Sequence, residues 1–222
     1  MKTSNIIFIS LLSINALFIA AEMINIRENS TPSGINLMNK LPVPPFKVLI
    51  LNNNIVNGMK IDVIQNDSSF IKITWNKDSL SPQLNYTIKE DTLIVSDLNV
   101  FPTVELNFTN SLKKMILTKS TINLKRLNLE ELSLDLNDSK VFSGTDKSVL
   151  NVLEISAMNY SRLYLNKFKL DSMKIELQNS EANLYIIAKI IHGELSDNSR
   201  LNSWQQGEIY LKKDSTSKFS VR

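Results

Sequence analysis

The chain has 222 residues, 43% of them hydrophobic and 21% charged, and its formal net charge of +3 is too small and too scattered for a nucleic-acid-binding protein. It has no cysteine, which excludes disulfides, zinc–thiolate sites, a thiol nucleophile and a lipid-modified cysteine. Its single histidine, His192, excludes a histidine-rich metal site and disfavours a serine–histidine–acid triad, so we interpret it as a structural residue.

Residues 1–26 predict an export signal. Lys2 precedes an apolar run from Ile6 to Ala21, and Glu22 ends it. As a helix this run reaches about 24 Å, short of the roughly 30 Å hydrocarbon core, which favours a cleaved signal peptide. The residues before Ala20 and Ala21 match a cleavage site poorly, which favours a retained signal anchor. Either way we expect an exported protein, periplasmic or at the cell surface; a retained leader tethers it to the inner membrane through the N-terminal helix.

Residues 27–45 have the composition of a tether. They are rich in Glu, Asn, Ser and Thr and contain prolines at positions 32, 42, 44 and 45. Two adjacent prolines favour the extended polyproline conformation, which holds a folded domain away from a membrane. The sequence therefore predicts a tether over residues 27–45 and one folded domain over residues 46–222.

The first part of the folded domain shows the alternation typical of β-strands. Alternating apolar residues begin at Phe46, resume after the Asn57–Gly58 dipeptide, and recur in runs that end at Trp75, Val95 and Phe108. The dipeptide is a tight-turn signal between short strands. No stretch here carries apolar residues at helical spacing, so this part predicts an all-β unit of short strand pairs.

In the second part, a serine followed two residues later by an apolar side chain recurs five times, at spacings of 19, 22, 19 and 19 residues. A fixed period of this length is typical of stacked supersecondary units. Each repeat holds an alternating strand, a polar bend and a second alternating strand, and in the last four repeats the bend contains Asn or Asp before the serine. The pairs are Ser120/Ile122, Ser139/Val141, Ser161/Leu163, Ser180/Ala182 and Ser199/Leu201.

A single repeat cannot bury its apolar row, whereas stacked coils about 4.8 Å apart bury each row against the next. The sequence therefore predicts an all-β fold, a right-handed parallel β-helix with N-terminal strand pairs over its first end and the polar residues 212–222 guarding the other. Serine and asparagine at equivalent bends are expected to form ladders. The expected inner rows are Ile122, Val141, Leu163, Ala182, Leu201 and Leu134, Ile155, Ile175, Gly193.

A family resemblance rests on the turn segment Val56–Val63 (VNGMKIDV), the strand Asp91–Val95 (DTLIV) and the Ser-x-apolar repeats, together with the leader. With these features the chain resembles the GIN-type head domain family of autotransporter-type adhesin heads. The resemblance covers Phe46 to the C-terminus. It implies a right-handed parallel β-helix and an adhesin-like role, and it brings no catalytic residues.

One basic cluster is a candidate polyanion site. It comprises Lys113, Lys114, Lys119, Lys125 and Arg126, and charge attraction could draw it to lipopolysaccharide. The acidic residues that follow it favour a solvated exterior of the coil instead.

Adjacent Glu130 and Glu131 are expected on opposite faces of a strand, where they cannot flank one glycosidic bond. The longer 22-residue repeat holds an insertion at Ser143–Lys147, which predicts a surface loop and a candidate partner contact. Aromatic side chains that could stack on sugars are Tyr160 in a bend, Tyr164, Trp75 and Trp204, although core or edge packing is favoured for both tryptophans.

The sequence thus predicts a non-enzymatic cell-envelope surface protein, adhesin-like or scaffold-like, that recognises its partner through a β-solenoid. It predicts no catalytic residues, no cofactor and no metal site. The expected partner is a surface glycan or an envelope protein, with membrane contact through the N-terminal helix and no nucleic acid. The alternative is a periplasmic accessory or regulatory protein that binds another envelope protein.

Overall fold

The computed structural model describes residues 36–54, 61–76, 84–96, 103–144, 146–204 and 207–221. The chain divides into two compact units, Met1–Leu37 with Asn76–Leu80 and Met38–Trp75 with Ser81–Arg222. Within the described ranges all regular structure is β. The strands are β1 (Asn36–Pro42), β2 (Val48–Asn54), β3 (Ile61–Gln65), β4 (Phe70–Asn76), β5 (Asn85–Lys89), β6 (Thr92–Ser96), β7 (Thr103–Phe108), β8 (Lys114–Lys125), β9 (Asn128–Asn137), β10 (Lys140–Ser143), β11 (Ser148–Met158), β12 (Arg162–Gln178), β13 (Glu181–Ser196), β14 (Arg200–Ser203), β15 (Glu208–Lys213) and β16 (Lys218–Val221).

The chain winds as a parallel β-solenoid of about five turns, as the repeat predicts. Strands β9, β11 and β15, with the second halves of β12 and β13, pair in parallel along one side, the long face. Strands β10, β14 and β16, with the second half of β8 and the first parts of β12 and β13, pair in parallel along another side, the short face. Equivalent residues of successive coils therefore form straight rows, about 4.8 Å apart.

Both expected inner rows are confirmed. On the short face Leu163 lies between Val141 and Ala182, and all three are fully buried. On the long face Ile175 lies between Ile155 and Gly193. Each coil thus buries its apolar row against the next, which supplies the burial that one coil alone lacks.

The repeated serines form one buried column at the bend from the long face to the short face, as expected. Each is at most 6% exposed. The first five hydroxyls donate to backbone carbonyls two or three residues earlier, at 2.6–2.9 Å. This serine column consists of Ser120, Ser139, Ser161, Ser180, Ser199 and, beyond the five expected, Ser217.

The bends before the serines have two lengths. A bend of one residue, such as Asp138 with φ 49°, lets the N–H of Ser139 donate to Ser161 Oγ at 3.1 Å. A bend of two residues, such as Asn159–Tyr160 with φ 56° and 66°, is a type I′ turn in which the N–H of Ser161 donates to the Met158 carbonyl at 3.3 Å. Both lengths keep the strands in register, because the next strand starts from the serine in each case.

The N-terminal strands cover the first end of the solenoid, as expected. Strands β2 and β3 form a coil between β8 and the coil of β6 and β7, so the outermost coil comes later in the chain than its neighbour. Strand β5 folds back on β6 through Glu90–Asp91, and β4 lies antiparallel to β7. The expectation that β2 and β3 pair around a tight turn is wrong, because each pairs with other strands; Asn57–Gly58 itself lies outside the described residues.

Strand β1 lies within the segment predicted as a tether. It is the neighbour of β4, and Val43 and Phe46 after it are buried. The N–H of Val43 donates to the Ser69 carbonyl at 3.2 Å. Packed structure therefore extends before Phe46. The predicted leader over residues 1–26 lies outside the described residues, and the described part of the chain has no helix long and apolar enough to cross a membrane.

The C-terminal residues form a further coil instead of the polar guard expected from residues 212–222. Phe219 aligns with Leu201, and Ser217 precedes it at the spacing of the repeat. Asp214 holds the turn between β15 and β16, because its carboxylate accepts hydrogen bonds from the N–H groups of Asp197 and Ser217, both at 2.8 Å.

Strands β9, β11 and β12 of the long face each contain a corner where the alternation of buried and exposed residues breaks. Two consecutive side chains point outward between two buried ones: Glu130 and Glu131 in β9, Asn151 and Val152 in β11, and Asp171 with the half-buried Ser172 in β12. The expectation that Glu130 and Glu131 lie on opposite faces is wrong, since both are exposed. A strand that turns a corner shifts the phase of its alternation, which strict period-two reasoning does not include.

Candidate functional site

The residue directly after each serine points outward on the short face. Parallel pairing aligns Lys140 with Arg162, Arg162 with Glu181, Glu181 with Arg200, and Arg200 with Lys218. The four basic side chains are exposed and Glu181 is half-buried. We call these five residues the cationic row.

The four cations of this row have no carboxylate partner within 4 Å among the described residues, in contrast to eight other basic side chains that do. The one acid of the row, Glu181, accepts a hydrogen bond from Asn183 Nδ2 at 3.0 Å. Neighbouring positions lie about 4.8 Å apart, and Arg162 and Arg200, two coils apart, about 10 Å. The row therefore carries four positive charges and one negative charge, a net charge of +3, with Glu181 between Arg162 and Arg200.

A second outward row runs beside the first, two residues further along each strand. Phe142 and Tyr164 stack with ring centroids 5.3 Å apart. In the following coils Asn202 Nδ2 donates to Asn183 Oδ1 at 2.9 Å, and Ser220 Oγ donates to Asn202 Oδ1 at 2.7 Å. We call these five residues the amide–aromatic row. Its hydrogen bonds hold the amides in one orientation across three coils.

A shallow groove of about 230 Å³ borders the cationic row at the bends. Its walls include Arg162, Arg200 and Tyr160. Tyr160 is 71% exposed, because its left-handed backbone (φ 66°) in the two-residue bend directs it away from the core. Asn179 and Asn198 from the bends above it add polar groups.

This arrangement suits an extended, negatively charged, hydroxyl-rich ligand. Guanidinium groups bind carboxylates and phosphates through paired hydrogen bonds. Aromatic faces pack on apolar faces of rings, and oriented amides bind hydroxyl groups. These are the chemical groups of an acidic polysaccharide, repeated along a line as the coils are.

Four of the five residues in the basic cluster that the sequence offered as a polyanion site are paired with carboxylates, and Lys119 has no such partner within 4 Å among the described residues. Lys113 donates to Glu131 at 2.7 Å, and this hydrogen bond, with the attraction of the carboxylate, raises the pKa of Lys113. The other ion pairs are Lys114 with Asp135 at 2.6 Å, Lys125 with Asp62 at 2.6 Å and Arg126 with Asp146 at 3.4 Å. These ion pairs agree with the prediction that the cluster forms a solvated exterior of the coil.

The other residues singled out by the sequence lie apart from the cationic row. His192 stacks on Tyr210 on the long face, with centroids 5.2 Å apart. Trp204 stacks on Tyr185 at 4.1 Å, where the short face ends. The side chain of Trp75 lies outside the described residues. Among the described residues no cluster of three or more His, Asp or Glu side chains could hold a metal ion.

Sequence reasoning missed the cationic row, although the signal was present. In the pattern Ser-x-apolar the middle residue is basic in four repeats, at Lys140, Arg162, Arg200 and Lys218. The serine and the apolar residue define the coil, whereas the residue between them points outward and is not constrained by the coil.

Comparison with known proteins supports the fold. No family model matches the chain, and a search of curated proteins finds no match. Among solved structures, one named "putative adhesin" from Bacteroides fragilis has a TM-score of 0.56 at 9% identity, covering 86% of this chain and 99% of that one. One named "putative lipid binding protein" from Parabacteroides distasonis has a TM-score of 0.52 at 12% identity, covering 85% of this chain and 93% of that one. At such identities the likeness concerns the fold alone.

Proposed function

We propose that the protein is a non-enzymatic, exported cell-envelope protein that recognises an acidic surface glycan through the short face of its solenoid. The observation that carries this proposal is the line of unpaired cations next to the amide–aromatic row. The adhesin name of a structure with the same fold is in keeping with it. We also propose that the solenoid is right-handed, as the resemblance to the GIN-type head family implies. Connections between parallel strands are right-handed in nearly all known cases.

The test is a glycan array that contains acidic and neutral polysaccharides, probed with the full chain. We expect binding to acidic glycans that weakens as salt increases, because the interaction is between charges. The double variant Arg162→Glu/Arg200→Glu should bind at least about a hundred-fold more weakly, since each of the two charged hydrogen-bonding groups contributes about 1.5–3 kcal/mol. The variant Lys113→Glu/Lys114→Glu changes the net charge equally but alters residues outside the short face, so it should bind as the wild type does.

Three results would contradict the proposal. One is an array with no bound glycan, another is equal binding of neutral and acidic glycans, and the third is equal loss in both double variants. Circular dichroism of each variant ensures that a loss of binding is not a loss of fold.

The second candidate is the accessory protein that binds another envelope protein. It is favoured by β15 and β16, which pair with β13 and β14 on one side and have no strand partner on the other among the described residues. Such an edge can accept a strand from a partner. A flat glycan array combined with one stoichiometric partner in a pull-down of envelope proteins would favour this candidate over glycan recognition.

A further inference from the structure

A second surface, distinct from the short face, combines exposed apolar side chains with lysines. It lies where the short-face strands end and the long-face strands begin. Its groove of about 510 Å³ has predominantly apolar walls, with Phe168 and Ile186 buried behind them. Exposed apolar patches of this kind on soluble domains mark sites of interaction.

The outward apolar side chains come from adjacent coils. Val149 and Ile187 flank Lys169 in one row of the long face and are 45% and 56% exposed. Tyr185 is 48% exposed and stacks on Trp204. Aliphatic residues beside Tyr and Trp have the composition that proteins place at the boundary between lipid and water.

Three lysines surround this groove: Lys147, Lys167 and Lys169. None of them has a carboxylate within ion-pair distance among the described residues. Lys167 has a left-handed backbone (φ 59°) at a bulge between Asn166 and Lys169, where the pairing of β12 with β13 shifts register. A bulge re-aims the side chain it carries, here into solvent.

The acids that lie closest to these lysines in the chain, Asp146 and Asp171, each have another ion-pair partner. Asp146 pairs with Arg126 at 3.4 Å, and Asp171 pairs with Lys189 at 2.6 Å. The groove therefore presents an apolar floor and a positively charged rim. That combination is complementary to a surface of acyl chains beneath anionic head groups.

We propose that this lysine-rimmed groove docks the solenoid onto the surface of an anionic lipid bilayer. Val149, Ile187 and Tyr185 enter the interface, and the three lysines contact head groups. The apolar side chains stay about half exposed, whereas a carrier of single lipid molecules encloses most of its ligand. The open shape therefore favours a bilayer. This inference does not depend on glycan recognition, which uses the short face.

The test exploits the absence of cysteine. Ile187→Cys in the full chain gives a single site for an environment-sensitive fluorophore, and Ser215→Cys, in the turn at the opposite end of the long-face strands, gives the control site. Both proteins are mixed with vesicles of phosphatidylcholine, with or without about one third phosphatidylglycerol. A local fluorophore separates docking of the groove from membrane contact made elsewhere in the chain.

We expect a blue shift at position 187 with anionic vesicles only, and none at position 215. Replacing all three lysines by glutamine should weaken the binding of anionic vesicles about a hundred-fold, at about five-fold per lysine. High salt should abolish the blue shift at position 187, because it screens the attraction between the lysines and the anionic head groups.

The proposal is overturned by the absence of a shift at position 187, by an equal shift with neutral vesicles, by an equal shift at position 215, or by unchanged binding of the lysine variant. It is also overturned if dispersed single lipid molecules shift the fluorophore and vesicles do not, which would identify a lipid carrier. Glycan binding by the same variants is expected to be unchanged, so failure of one proposal is distinguishable from failure of the other.

Discussion

Removal of one hydroxyl from the serine column is expected to destabilise the solenoid strongly. Ser139 Oγ is fully buried, accepts a hydrogen bond from the N–H of Ser120 at 3.1 Å and donates one to the Asn137 carbonyl at 2.8 Å. Ser139→Ala leaves the buried N–H without this acceptor, which costs about 1–3 kcal/mol, and loses a second bond of about 1 kcal/mol. The free energy of unfolding should therefore fall by about 2–4 kcal/mol.

The matched control is Ser203→Ala. Ser203 is also fully buried, but its hydroxyl has no hydrogen-bond partner among the described residues. Its removal should be neutral or slightly stabilising, because no bond is lost. Urea unfolding, followed by circular dichroism, gives both values if the slope with denaturant is unchanged. Equal effects of the two substitutions would refute the reasoning, since burial and not hydrogen bonding would then explain the cost.

Two further predictions concern stability. In Gly193→Ala the new Cβ would lie 2.5 Å from Leu211 Cδ2 and 2.8 Å from the Ile175 carbonyl oxygen. The free energy of unfolding, measured by thermal unfolding, should therefore fall by about 1–3 kcal/mol. An unchanged melting temperature would contradict the tight packing at this position. The hydrogen bonds of Ser217, of the Asp197 N–H and of Thr216 hold the pKa of Asp214 well below its ordinary value of 3.8. Because this pKa is lowered in the folded state, the stabilising contribution of the Asp214 carboxylate is complete above the pKa of the unfolded state. It is lost as the pH falls through the pKa of the folded state. The gap in melting temperature between wild type and Asp214→Asn should thus be constant above about pH 5 and narrow below pH 3.8; a gap of constant size down to pH 2 would count against this account.

The coil could be predicted because its determinants repeat. Ser161 and Leu163 recur with their counterparts at nearly constant spacing, and a residue that must bond to the same backbone groups in every coil leaves a visible period. The last coil, marked by Ser217 and Phe219, obeys the same rule, but the surrounding charges led to its interpretation as a tail. The charges lie on its exposed side, where the repeat imposes no residue type.

The order of the first coils could not be predicted. Alternation identifies β2, β3, β6 and β7 as strands but does not specify which strand pairs with which. The coil of β6 and β7 lies outside that of β2 and β3, and this arrangement depends on tertiary packing. The corner at Glu130 and Glu131 was missed for a related reason, since its two outward residues do not fit a single period.

The candidate site was predictable in part. The suggestion of Tyr160 as an exposed bend residue is confirmed by its position, whereas the unpaired arginines Arg162 and Arg200 were not recognised. Arg162 and Arg200 are 38 residues apart in the chain (200 minus 162), and they come into one line only because the coils stack. The sequence does not show ion pairing either. Lys113 has a carboxylate partner, whereas Lys140 has none within 4 Å among the described residues.

Length differences between coils fall in the bends, in the connection between β10 and β11 and in the bulge between Asn166 and Lys169, and they do not disturb the pairing of the strands. Successive serines are 19, 22, 19, 19 and 18 residues apart, yet Ile122, Leu163 and Leu201 remain in one row. An added or lost residue at a bend changes the contour of the surface while the interior keeps its geometry. Evolution can therefore alter what such a protein recognises, by small length changes and by substitution after each serine, at little risk to folding.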